Sequence, residues 1–420
     1  MVSTRSHGIG SVSDHVQRIL IRIDTDGGPS GYGEADPWAV FSGTVESAVS
    51  TLQTYLWPQL QHQPIADIPK VMARLNRTVV GQSEAKVAIE TALYDIVGKA
   101  SGLPIYQLLG GKYRDHIPVS FSLTNPDLEA DLEMAQQMVV EDGHHIFKIK
   151  TGFTAHREDV RRVGKIRDTL PDHIDLRIDY NQGLEPFGAV SKLREMEQFK
   201  LTFIEQPVKA HQLEAMAELT RRLDTPILAD ESVFDPQAAL HGIQAKIANV
   251  FSIKIMKTGS LQGAQKMAAV AEMAGLPCYG GTLFEGAIAL NAAAHLSAAT
   301  PNISLGCEFY MPRYMFAPDE LEGAVDIREG LVYPPNGPGL GIDIDEDVIE
   351  KLAVTTMTLS RVVSHADVGP LGQSRTRYYP SGGNRTPLPY IPRAVRRRAG
   401  SRLATLSPDA APPEPCSVTG

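Results

Sequence analysis

Charged residues interrupt a series of short apolar runs, each in the later part of its run. They are Lys148 and Lys150 in IFKIKTG, Asp179 in IDLRIDYN, Glu205 in FIEQP, Asp230 in ILADES, Lys254 in VFSIKI and Glu308 in ISLGCEF. From Lys150 to Lys254 the intervals are 29, 26, 25 and 24 residues. Each interval is about one strand plus one crossover helix. In a closed parallel sheet such positions share one end and point into one mouth. A lone charge near a strand end is ordinarily half of an ion pair. A series in register is a site.

The residue types define a chemistry. Asp179, Glu205 and Asp230 would come from three adjacent strands. Three converging carboxylates cannot all stay ionised in a dry site without a cation. All-oxygen ligation on rigid strands suits Mg²⁺ or Mn²⁺, and the lack of His or Cys partners argues against zinc. Lys150 precedes this trio and Lys254 follows it, so the two would face each other across the metal. Neighbouring cations lower the proton affinity of a lysine toward that of a working acid or base. Lys148 and Lys150, two apart, share a strand face. Lys148 is thus placed to depress Lys150 and to hold an anionic substrate. Such a site makes and breaks a C–H bond beside a carboxylate, through an enolate that the metal stabilises.

The elements that must position these residues are legible in outline. Eight apolar runs (117–123, 146–152, 174–181, 203–207, 227–232, 250–255, 277–282 and 303–309) alternate with amphipathic stretches such as 157–169, 211–223 and 261–275. The pattern predicts an α/β fold, a TIM-type barrel of seven or eight βα units over residues 111–330. A doubly wound sheet is the alternative, weakened because no Gly-rich phosphate fingerprint follows any strand. Ahead of the barrel, 15–35 reads as a β-hairpin turning at Asp26-Gly27-Gly28, and 44–60, 67–77 and 83–101 read as helices. Gly102 is placed to cap the last. Residues 1–110 therefore form a small α+β unit. Residues 331–355 are a segment returning to it.

Composition narrows the function classes. The net charge of −9 divides unevenly: residues 361–420 carry nine Arg, no Lys and three acids, or +6, which leaves −15 on the body. An acidic body is a poor nucleic-acid binder. The Arg/Pro-rich stretch over 356–420 is expected to be disordered. No run of about 18 apolar residues suggests a membrane span, and MVSTRSHGIG lacks a signal-peptide core, so a cytoplasmic protein is expected. Cys278, Cys307 and Cys416 make neither a disulfide framework nor a zinc site. The first two are expected to be buried core thiols.

The segments HHIFKIKTG, IDYNQG, FIEQP, ILADES, FSIKIMKTG, YGGTLFEG and GCEFY, with PGLGID near 338–343, resemble the muconate-cycloisomerase subgroup of the enolase superfamily, within the mandelate racemase/muconate lactonizing enzymes. A lysine base beside a divalent ion is a documented pattern of that superfamily, and the assignment follows that precedent. The resemblance covers about residues 5–352. It implies Asp179, Glu205 and Asp230 as metal ligands, Lys150 and Lys254 as the acid/base pair, and Lys148 assisting. It places Glu308 near the substrate and Asn181 and Gln206 behind the ligands. It assigns Gly281, Thr282 and Glu285 to a seventh-strand loop. It implies that the smaller unit is a capping domain whose loops, 5–15 and 36–42, close over the mouth. Trp38 and Phe41 are then candidates for substrate choice or for cap core. It also implies a homo-oligomer, often an octamer. Members normally have a further strand ahead of the lid. Here that strand is expected to be missing, so that either the real start lies upstream or the lid is loosely held.

The expected reaction is lactonization of a cis,cis-muconate-type diacid in aromatic (catechol) catabolism, with Lys150 donating the proton. The same site could serve a racemase or epimerase of N-acylamino acids or dipeptides, with Lys150 and Lys254 as two bases. It could also serve an o-succinylbenzoate-synthase-like dehydratase. An inactive, truncated homologue is the non-enzymatic reading.

Overall fold

The computed structural model describes residues 5–12, 15–61, 64–309 and 325–359. Of the stretch expected to be disordered, everything from 360 on, Cys416 included, lies outside the described residues.

Seven parallel strands follow in chain order, each hydrogen-bonded to the next: Ser120–Leu123, Ile146–Lys150, Asp175–Asp179, Ile204–Glu205, Ile227–Ala229, Val250–Ile253 and Cys278–Gly280. Helices cover their outer faces, so the strands are buried on both sides and read as continuous apolar runs. Three of the intervening helices begin on side-chain caps, from Asp127, Asp235 and Ser260. Each cap satisfies a backbone N–H that the first helical turn leaves unpaired.

The expected eighth strand over 303–309 is reduced to one bridging residue. Cys307 bridges Val119 on one side and Gly280 on the other, which closes the barrel. Gly306 explains the shortness. Its φ is +79°, and a Cβ there would lie 2.5 Å from the Pro118 carbonyl oxygen. The chain must turn where a strand would continue. The expected first run also divides. Ser120–Leu123 enters the barrel, while Ile117–Pro118 pairs antiparallel with Leu331–Tyr333.

Before the barrel, Ile19–Ile23 pairs antiparallel with Gly31–Ala35. This hairpin packs on the helix Ser83–Ser101, which ends at Gly102 in the left-handed conformation (φ 73°). The C-terminal segment touches the same unit. Leu340 N donates to Asp95 Oδ1 at 2.9 Å, and Arg22 meets Glu346 at 2.7 Å. Helix Ala287–Ala299 is mostly apolar and almost wholly buried, its Asn291, His295 and Ser297 included, with the hairpin and the helix Ser83–Ser101 among its neighbours.

The lid differs from the loose segment expected. Arg5–His7 and Gly10–Val12 form a two-stranded hairpin. Ser6 N donates to Thr124 O at 3.0 Å, and Arg5 Nη1 to Thr124 Oγ1 at 2.9 Å. The lid is thereby tied to the loop after the first barrel strand.

Candidate active site

The strand register brings the charged residues together. Lys150 lies opposite Asp179, and Asp179 opposite Glu205; Asp230 follows the strand that pairs with Glu205. Lys150 Nζ donates to Asp179 Oδ2 at 2.6 Å and to Asn181 Oδ1 at 3.0 Å. Lys254 Nζ donates to Asp230 Oδ2 at 2.6 Å. The two lysines thus sit on opposite flanks of the three carboxylates, each on a different one. Gly281 makes room for Lys254: a Cβ there would lie 2.6 Å from the Lys254 Cε.

Lys148 is fully buried and engaged by protein carboxylates, Glu308 at 2.5 Å, Glu205 at 2.9 Å and Asp179 at 3.6 Å. In this arrangement it braces these acids. Burial disfavours its charge, but Glu205 and Glu308 outweigh that and hold it well above the usual lysine range. Glu308 also accepts from Ser122. Lys254 departs from the expected depression in the same sense. Burial lowers it, yet the touching Asp230 carboxylate raises it further, so its net shift is upward.

The carboxylates respond differently to one environment. Burial raises Asp179, but Lys150 and Lys148 bring it below the usual range. Asp230 behaves alike, lowered by Lys254 and Lys257. Glu205 is pushed up to about 7 by burial and by Asp179. Its Oε1 is buried without a hydrogen-bond partner, as is Oε2 of the neighbouring Glu231. Orphaned carboxylate oxygens in a dry, all-oxygen site fit a hard divalent cation. Among the described residues no three acidic or imidazole side chains are drawn into a coordinating cage.

The supporting residues divide. Asn181 belongs to the chamber: it accepts from Lys150 and donates to Glu231 Oε1 at 3.2 Å. Gln206 faces away. It accepts from Asp230 N (3.0 Å) and Ser232 N (3.1 Å) and so locks two strand ends together. Thr282 donates to the Glu308 carbonyl. Glu285 accepts from Leu283 N; burial and then Asp36 push it well up. Trp38 packs edge-on against Phe284 (5.1 Å) and His7 (5.2 Å), and Phe41 lies 4.8 Å from Lys254 Nζ. Both aromatics therefore border the chamber. Cys278 and Cys307 are buried, and burial raises both thiols, Cys278 to about 12.

Sequence reasoning missed four residues. Lys257 and Glu231 stand beside residues already chosen, and Ser122 lies on a predicted strand. His7 had no local signal. It is buried, and burial followed by Lys150 holds it well below the usual histidine range. A cavity of about 470 Å³ opens beside the lid, lined by Val12, Val16, Trp38 and Phe284, and does not include the lysines. With Lys150 5% and Lys254 4% exposed, the chamber is closed.

Comparison with known proteins decides the lineage. Residues 5–110 match the N-terminal domain model of mandelate racemase / muconate lactonizing enzymes, and 130–348 match the enolase C-terminal domain-like model. The chain belongs to the mandelate racemase/muconate lactonizing enzyme family of the enolase superfamily. It is 32% identical over 352 residues to Muconate cycloisomerase 1 of Rhodococcus opacus, covering 82% of this chain and 94% of that one. It is 35% identical over 332 residues to the L-Ala-D/L-Glu epimerase of Bacillus subtilis, covering 78% and 89%. The crystal structure of a muconate cycloisomerase from Azorhizobium caulinodans superposes with a TM-score of 0.73 at 47% identity, covering 83% and 95%. The architecture of this family is the TIM-type barrel with an N-terminal domain found here. The protein is an isomerase, and its superfamily is divalent-metal dependent. Among the described residues no helix is long and apolar enough to cross a membrane.

Proposed function

We propose that this isomerase is a muconate cycloisomerase-type enzyme that lactonizes a cis,cis-muconate-like dicarboxylate. The observation that carries the reading is the placement of Lys150 and Lys254 on opposite flanks of Asp179, Glu205 and Asp230 inside a lid-covered chamber. The 47% identity to the Azorhizobium cycloisomerase supports the substrate class.

Asp179, Glu205 and Asp230 would hold Mg²⁺ or Mn²⁺, which supplies positive charge to a developing enolate. Lys150 delivers the proton to the carbon beside the carboxylate, completing the lactone. Asn181 aims the Lys150 ammonium, and Lys148 keeps Glu205 and Glu308 in place. Lys254 faces the other side of the substrate and steadies negative charge there. His7, Trp38 and Phe41 close the mouth and exclude water. The family membership supports a homo-oligomeric cytoplasmic enzyme, with an octamer as the expected assembly.

A second reading has its own support. The Bacillus epimerase is as similar as the Rhodococcus cycloisomerase, and a lysine on each face is what a two-base racemase needs. Loss of ultraviolet absorbance of cis,cis-muconate with Mn²⁺ tests the first reading. Turnover should vanish with chelator and in Lys150→Ala. A metal-loaded protein that leaves muconate untouched but exchanges the α-proton of N-succinyl amino acids or dipeptides would replace the cycloisomerase with the racemase.

A further inference from the structure

Lys254 and Lys257 divide one carboxylate between them. Asp230 Oδ2 accepts from Lys254 Nζ at 2.6 Å, and Oδ1 accepts from Lys257 Nζ at 2.7 Å. The surroundings of the two ammonium groups differ. Lys257 also donates to the Asp230 carbonyl at 2.9 Å and to the Ser252 carbonyl at 2.8 Å. An ammonium has three donors, and these contacts use all of them. Its side chain has no solvent exposure, and the Phe234 ring lies 5.9 Å from its Nζ. It sits on the short helix Ile255–Thr258, directly behind the strand that carries Ser252. Lys254, by contrast, makes one hydrogen bond, to Asp230 Oδ2, and its side chain lies at the chamber edge beside Phe41. One lysine is locked in place and the other can change partners.

We infer that Lys257 is a positioning residue. It clamps Asp230 Oδ1 and the Asp230 backbone so that Oδ2 is presented to a divalent cation, and it balances the buried carboxylate when Lys254 turns to the substrate. This rests on the metal-site reading above. It makes a prediction opposite in sign to simple electrostatics. Deleting a nearby cation should tighten metal binding by removing repulsion. Deleting a clamp should weaken it, because Asp230 must then be ordered at the moment of binding.

The test is Mn²⁺ titration of the full chain by electron paramagnetic resonance, with thermal melting to establish folding. Wild type, Lys257→Met and Lys254→Met are compared. We expect Lys257→Met to bind Mn²⁺ about 10- to 100-fold more weakly and Lys254→Met to bind it as tightly as wild type or more tightly. If Lys257→Met does not fold, Lys257→Leu, which likewise removes every donor, is read by the same criterion. A folded Lys257 variant that binds Mn²⁺ as tightly as wild type, or more tightly, overturns the inference and leaves the metal site standing. Wild type that binds no Mn²⁺ overturns both.

Discussion

At the scale of the residue, the proposed function rests on lysines held against carboxylates in a dry chamber. Lys150 has two acceptors at its tip, Asp179 and Asn181. Lys150→Ala should therefore leave the fold intact and lower kcat by about 10²- to 10⁴-fold, the usual weight of a general acid. Steady-state turnover of muconate beside a circular dichroism spectrum checks this. Gly281 offers a subtler case. A methyl group there would stand 2.6 Å from the Lys254 Cε and 2.7 Å from Ser252 Oγ. Gly281→Ala should displace the lysine stem, lowering kcat more than it raises KM, with little change in secondary structure. Unchanged kinetics would mean that Lys254 need not occupy its observed position. His7 belongs to this scale too, since a chain segment far from the barrel strands supplies a polar group to their mouth.

At the scale of the element, the seam between lid, cap and barrel is unusual in holding buried acids. Burial, with the Glu34 charge adding, pushes Asp36 up to about 7; burial and Asp36 push Glu84 up to about 8. Glu285 faces the same place from the barrel side. Arg18 meets Glu34, Ser42 donates to Glu84, and Asp36 accepts from Phe284 N at 2.6 Å. A carboxyl raised on folding binds its proton more tightly in the folded state. Its contribution to stability is complete below the ordinary carboxyl value of about 4, and it is lost as pH rises through the folded values. The seam should loosen between about pH 4 and pH 8 and change little above that. Trp38 reports on it directly. The chain has two tryptophans, so Trp57→Phe leaves Trp38 as the only tryptophan to excite at 295 nm or above. Its emission should shift to the red over this range, and Glu84→Gln should shrink the shift. An emission spectrum constant from pH 4 to 8 would show that these acids do not govern the lid.

At the scale of the whole molecule, metal and fold are linked. An ion that binds only the folded barrel stabilises it by mass action, and Mn²⁺ at about a hundred times its dissociation constant adds about 2.7 kcal/mol. Melting of the chelated protein should therefore rise on adding Mn²⁺, and a Glu205→Gln variant should respond less. A Tm indifferent to Mn²⁺ would remove the carboxylate trio from consideration as its binding site.

The barrel and the row of chemical residues were legible in the chain because both follow from local order. A strand, a turn and a helix need about 25 residues, and a charge recurring at that interval shows itself without any tertiary information. The helix over 83–101 and its Gly102 cap were equally readable, since 3.6-residue periodicity and a left-handed terminus are properties of neighbours in sequence. What lay beyond reach was set by contacts between residues far apart. Closure through Cys307 depends on Gly306 approaching Pro118. Lys148 is held by Glu308, 160 residues away, a contact that no local pattern announces. The balance at Lys254 is equally a matter of packing. A list of charges gives their number, but only their distances decide whether attraction to Asp230 outweighs burial and the repulsion of other lysines. His7 reaches the chamber because the lid hairpin ties down at Thr124, a pairing to which no periodicity points. Sequence order determined which residues share a barrel end; three-dimensional packing decided which of them touch.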